Sequence, residues 1–142
     1  MIDFVRLAYS IAKEAHKGQV DKAGVDYIEH PKKVASYVQT NEEKVVAYLH
    51  DIIEDTDVTL DDLRNYGFSE KIIVAVDVLT RKKGQAYQSY LEIVKSNELA
   101  KNVKLADLRH NSDLSRLSQI KNKDLERNLK YQAAIKFLST SK

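Results

Sequence analysis

Apolar residues recur at helical spacing along almost the whole chain, and a single proline in 142 residues is all that could break that pattern by its ring. Strict alternation of apolar and polar residues, the mark of a half-buried strand, is scarce. Phe4, Leu7, Ala8, Ile11, Ala12 and Ala15 form one stripe, and Gly18 stands where a helix would stop. Pro31 suits the first turn of a second helix carrying Val34, Ala35 and Val38. Thr40-Asn41-Glu42-Glu43 has the form of a capping box, opening a third helix that runs through Val45, Val46, Leu49, Ile52 and Ile53.

A short helix is predicted from Thr59 to before Gly67. Ser69 is expected to cap the next one, with Ile72, Ile73, Val76 and Leu79 inward. The run RKKG at 81–84 is a connector, and helices over 86–96, 98–117 and 122–139 complete the chain. No internal repeat or low-complexity linker divides it. The expectation is an all-α, single-domain helical bundle over residues 1–142.

Charge narrows the function classes. With 23 basic and 21 acidic side chains the net charge is only +2, so no basic stripe for nucleic acid is expected. No cysteine is present, which removes disulfides and thiolate metal sites. No run approaches the ~18 apolar residues of a membrane span, and the N-terminus lacks a signal peptide's apolar stretch. A soluble cytoplasmic domain is the expectation; the oligomeric state is not legible.

Residues 48–57, YLHDIIEDTD, place His50, Asp51, Glu54 and Asp55 on adjacent turns of a helix that should face the core. Groups so close repel unless something positive lies between them. His30, just before Pro31, and Asp107, on a helix otherwise apolar at Val103, Leu105 and Ala106, are the donors elsewhere. An acid buried alone is costly, so Asp107 should be paired or metal-bound. Two imidazoles (His30, His50) and two carboxylates (Asp51, Asp107) suit one divalent transition metal such as Mn²⁺, Fe²⁺ or Zn²⁺ better than Ca²⁺ or Mg²⁺.

The order H…HD…D resembles the HD superfamily of metal-dependent phosphohydrolases. The stretches AHKGQVDKAGVDYIEHP, LHDIIEDT and VKLADLRHN are similar to the hydrolase domain of the RelA/SpoT group, including its stand-alone small alarmone hydrolases. The resemblance runs from about His16 to Leu117. It implies an HD-type fold, Mn²⁺ at His30, His50, Asp51 and Asp107, and water handling by Glu54 and Asp55. It also implies nucleotide contact at Asn111 and a lysine near the substrate phosphates at Lys22.

Arg81 and Lys82 of the RKK run either grip phosphates or form a basic loop. Arg127 and Tyr131, four apart, are candidates to meet a terminal phosphate. His16 is read as structural and His110 as packing or surface. The implied activity is removal of the 3′-pyrophosphate of a (p)ppGpp-like alarmone; ppApp, NADPH, a nucleoside phosphate, or a weakly catalytic nucleotide sensor stay open. With the sequence ending at Lys142, no opposing synthetase domain is expected.

Three departures from the family text bear on substrate. Asp21-Lys22-Ala23-Gly24 stands where long alarmone hydrolases have Arg-Lys-Ser-Gly. Asp107-Leu108-Arg109-His110-Asn111 replaces Asp-Arg-Leu-x-Asn, and Leu114 occupies an expected threonine. Asp21 offers a base no cation and repels phosphate. Weak base reading, with guanine and adenine treated alike, is the resulting expectation.

Overall fold

Three helix starts are written into local side-chain chemistry. Thr40 accepts from Glu43 N while Glu43 reaches back to Thr40 N, so α3 (Asn41–Leu49) opens on the predicted capping box. Thr59 and Asp62 repeat the device for α5 (Leu60–Asn65). Ser69 accepts from Ile72 N to open α6 (Glu70–Leu79). Each bond satisfies an amide that the first turn leaves without a partner.

The computed structural model describes residues 2–21 and 23–140. Its remaining helices are α1 (Phe4–Ala15), α2 (Glu29–Tyr37), α4 (Ile52–Asp55), α7 (Tyr87–Ser96), α8 (Glu98–Asn111) and α9 (Asn122–Ser139). Among the described residues there is no strand, only an isolated antiparallel bridge between Val20 and Asp26. The fold is all-α, as expected. No helix among them is long and apolar enough to cross a membrane.

Helix α3 lies at the centre and packs on α1, α2, α6 and α8. Its Val45, Val46, Ala47 and Leu49 are buried, and Ile73, Val76, Val103, Leu108 and Leu138 join them in one core. Because α2, α3 and α8 all contact one another, the ends of these three helices converge. That convergence brings His30, His50 and Asp107 together.

Two predicted spans are corrected. The third helix is not continuous through Ile53: it ends at Leu49 and resumes at Ile52. His50 Nδ1 lies 2.6 Å from Ala47 O, the carbonyl that an unbroken helix would offer to Asp51 N. The backbone stays near helical values, φ −62° and ψ −29° at His50, so the interruption is local. The helix predicted over 98–117 stops at Asn111, and Leu114–Arg116 form a separate 3₁₀ turn. Asp113 caps that turn through Ser115 N at 3.0 Å, an alternative to continuing the helix.

Candidate metal centre

His30, His50, Asp51 and Asp107 each offer one donor atom, and these atoms lie within 4.8 Å of one another. His30 Nε2 is 2.7 Å from Asp107 Oδ1 and 3.8 Å from Asp51 Oδ2. His50 Nε2 is 3.1 Å from Asp51 Oδ2 and 3.3 Å from Asp107 Oδ1. The two histidines and Asp107 are buried. The four residues predicted from sequence therefore form one cluster that could hold a metal ion.

The donor chemistry passes a further test. A carbonyl only accepts, so His50 donates from Nδ1 to Ala47 O, and Nε2 is the nitrogen that faces the cluster, where a bound cation would displace its proton. His30 Nδ1 faces His110 Nδ1 at 2.7 Å, with the rings stacked at 5.0 Å. One of the two must donate. Burial, then Arg116 and His30, pull His110 down to about 4, so it is neutral and able to accept. A neutral His110 can take either role, and His30 Nε2 faces the Asp107 carboxylate at 2.7 Å, where a proton or a cation bridges the two.

Electrostatics hold the acids charged. Burial alone would raise both carboxyls, but His50 brings Asp51 down to about 2, and Lys104 with the two histidines brings Asp107 well below its ordinary value. Burial opposes charge on His50 as well, yet Asp51 and Asp107 raise it well above the usual imidazole range. So much complementary charge in a buried place is a functional-site signature.

Three partners of the cluster were missed from sequence. Tyr27 donates its hydroxyl to Asp51 Oδ2, and burial with Asp51 beside it keeps the phenol protonated. Lys104 Nζ sits 3.0 Å from Asp107 Oδ2, raised above its usual value because Asp107 outweighs the burial. His110 was read as packing or surface. All three lie three residues from a ligand (Tyr27 from His30, Lys104 and His110 from Asp107), a spacing that could have flagged them. His110→Ala is expected to weaken Mn²⁺ binding by roughly 10–100-fold, because His30 loses its Nδ1 partner. Calorimetric titration with Mn²⁺ measures this, and unchanged affinity would rule out the positioning role.

The remaining candidates divide. Asn111 donates to Asp107 Oδ1 at 3.2 Å, and with Arg127 and Tyr131 it lines a cavity of about 410 Å³ that also exposes His30, Asp51, Lys104 and Asp107. Arg81 and Lys82 are not brought into that cavity. Lys82 Nζ is spent on Thr80 O and Asp77 O at the end of α6, each at 2.7 Å. The Arg81 guanidinium lies over Tyr87 at 5.2 Å, in an adjoining cavity that shares Arg127 and Tyr131. Lys22 lies outside the described residues.

Glu54 and Asp55 close α4, which follows directly after Asp51; neither lines the cavity of about 410 Å³, and they differ in their bonding. Glu54 Oε1 accepts from Arg81 N at 2.5 Å, tying α4 to the 81–84 connector. The Asp55 carboxylate makes no hydrogen bond to the described residues; only its main-chain carbonyl is used, by Gln19 Nε2 at 3.1 Å. Burial first, then Asp51, raises both carboxyls. His16, read as structural, is buried against Tyr27 at 4.8 Å; its Nδ1 lies 3.0 Å from Gln19 Oε1, and its buried Nε2 has no hydrogen-bond partner among the described residues.

No protein-family profile matches the chain. Known proteins do. It is 36% identical over 115 residues to a Haemophilus influenzae protein named guanosine-3′,5′-bis(diphosphate) 3′-pyrophosphohydrolase, covering 71% of this chain and 17% of that protein. It is 37% identical over 84 residues to a Vibrio cholerae protein of the same name, covering 56% and 12%. A Streptomyces coelicolor protein named GTP pyrophosphokinase is 32% identical over 120 residues, covering 75% and 14%. The resemblance read from the motifs is thus present in named relatives, although the chain spans only a small part of their length.

A solved structure described as a metazoan ortholog of SpoT that hydrolyzes ppGpp superposes with a TM-score of 0.76 at 20% identity. The match covers 99% of this chain and 88% of that one, and it shows the shared all-α fold.

Proposed function

We propose that this relative of the SpoT-type proteins is an HD-type phosphohydrolase that removes the 3′-pyrophosphate of a (p)ppGpp-like nucleotide. Mn²⁺ is the cation we assign to His30, His50, Asp51 and Asp107. One observation carries the reading: the four-donor cluster opens into a cavity of about 410 Å³ also lined by Lys104, Asn111, Arg127 and Tyr131. Polyphosphate needs cations and donors around it, and this wall supplies both. The likeness to a protein named for pyrophosphate transfer leaves the direction of reaction to the site, and acids beside a cation suit hydrolysis.

A divalent cation held there supplies a Lewis acid for phosphoryl oxygens and acidifies water. The chain does the rest. Tyr27, Lys104, His110 and Ala47 O fix the four ligand side chains from behind. Arg127 and Tyr131 offer N–H and O–H donors to phosphate oxygens from α9. A carboxylate of the Glu54–Asp55 pair takes the proton of the attacking water. The water oxygen bonds to phosphorus as the 3′-oxygen–phosphorus bond breaks, the 3′ oxygen takes up a proton to become a hydroxyl, and pyrophosphate departs. A cytoplasmic setting fits such a substrate and belongs to the proposal.

The test is a panel of ppGpp, ppApp, NADPH and nucleoside phosphates with Mn²⁺-loaded protein. Consumption of a 3′-pyrophosphorylated nucleotide with stoichiometric pyrophosphate is expected. Release of inorganic phosphate alone, or binding without turnover of any member, would overturn the assignment.

A further inference from the structure

Helix α4 is a single turn, Ile52–Asp55, and a turn that short does not hold itself in water. Its near end is tied to the cluster, because Asp55 N donates to Asp51 O at 3.0 Å. Its far end needs a partner from elsewhere. Asp55 is the last helical residue, so its main-chain carbonyl has no acceptor's role left to play within the helix. Gln19 Nε2 donates to that carbonyl at 3.1 Å, across 36 positions of chain. Where the Asp55 carboxylate points therefore depends on Gln19.

Gln19 is itself held from three directions. Gly18 follows α1 at φ 88°, a left-handed conformation that turns the chain, and Gln19 N donates to His16 O at 2.9 Å. Gln19 O accepts from Tyr27 N at 2.9 Å, and Tyr27 is the residue whose hydroxyl meets Asp51. The orientation of the side-chain amide follows from its partners. Asp55 O only accepts, so the NH₂ faces α4 and Oε1 faces His16 Nδ1 at 3.0 Å, which donates. His16 Nε2 is buried with no hydrogen-bond partner among the described residues. A buried ring nitrogen left unmatched costs stability, and such costs concentrate at functional sites.

We infer that Gln19, oriented by His16, is a positioning residue that fixes the end of α4 and so aims Asp55 at the attacking water. This rests on the hydrolase reading with Asp55 as its base. One loop then serves both halves of the chemistry: Tyr27 steadies the carboxylate of Asp51, and Gln19 steadies the acid four residues on. Neither Gln19 nor His16 lines the cavity of the cluster, so their loss should reach turnover and leave substrate binding alone.

The experiment measures hydrogen exchange at the Asp55 and Thr56 amides, which bond to Asp51 O and Ile52 O, together with kcat and KM for ppGpp in Mn²⁺-loaded protein. Gln19→Ala should speed exchange at both amides and lower kcat on the order of tenfold to a hundredfold, with KM and Mn²⁺ affinity kept. Gln19→Glu keeps the length and the acceptor but loses the N–H donor, so it should match Gln19→Ala and replaces it if that variant fails to fold. His16→Phe should lower kcat less, and His16→Asn, which restores an N–H donor, should recover part of that loss. On an Asp55→Asn background Gln19→Ala should cost no further kcat, because its effect passes through Asp55. A full additional loss on that background, unchanged exchange at α4, or a loss confined to KM or to Mn²⁺ affinity would overturn the inference. No turnover of ppGpp by the natural protein, with faster exchange in Gln19→Ala, would sink the hydrolase reading and leave the anchoring of α4 standing.

Discussion

Asp107→Ala is expected to abolish Mn²⁺-dependent turnover and to cost more stability than any other single change at the site. Two losses combine. Asp107 Oδ1 meets His30 and His50, and its Oδ2 meets Lys104 at 3.0 Å. Lys104 is largely buried, with a side chain 16% exposed. Removing its partner leaves an uncompensated buried charge, a change that costs about 3–5 kcal/mol in comparable cases. A protein that binds metal only when folded also gains stability by mass action, about 2.7–4.1 kcal/mol at 100–1,000 times Kd. For a domain of this size that is a melting-temperature rise of roughly 5–15 °C, which Asp107→Ala should no longer show.

The two losses separate in a second variant. Lys104→Met added to Asp107→Ala removes the stranded charge, so part of the intrinsic stability should return while the response to Mn²⁺ stays absent. Melting each protein after chelation and after Mn²⁺ loading reads both quantities. A full Mn²⁺ response in Asp107→Ala would remove this residue from the ligand set.

Elements that depend on neighbours in sequence were legible. Thr40, Thr59 and Ser69 announce helix starts because the bonds that make them caps span only three residues. The four clustered donors were legible for another reason: a carboxylate such as Asp107 on a helix otherwise apolar at Val103, Leu105 and Ala106 conflicts with its setting, and such conflicts concentrate at sites. What failed depends on contacts the sequence does not display. The pause at His50 follows from a ring nitrogen taking Ala47 O. Lys82 resembles a phosphate grip, yet the open carbonyls at the end of α6 are nearer partners for its ammonium. The Asp21–Arg116 pair joins a loop before α2 to a turn after α8, so neither residue alone signals the other.

The bonding of α4 also ranks the two acids beside the cluster, which the motif alone presents as equals. Glu54 spends a carboxylate oxygen on Arg81 N, whereas the Asp55 carboxylate is unbonded among the described residues. A group that must take a proton from water needs a free lone pair aimed at it. Asp55→Asn is therefore expected to lower kcat by roughly 10²–10⁴-fold with Mn²⁺ affinity retained. Glu54→Gln should have a smaller effect, felt through the 81–84 connector. The pH profile carries the sign of the role. Burial, the first cause raising Asp55, persists with a cation bound, while the contribution of Asp51 is offset by that cation. A base works deprotonated, so kcat/KM should fall as pH drops through a value at or above the ordinary aspartate range of about 4. That acid limb should vanish in the residual activity of Asp55→Asn. Loss of Mn²⁺ binding in Asp55→Asn would instead make Asp55 a ligand, and a larger loss in Glu54→Gln with metal retained would reverse the two roles.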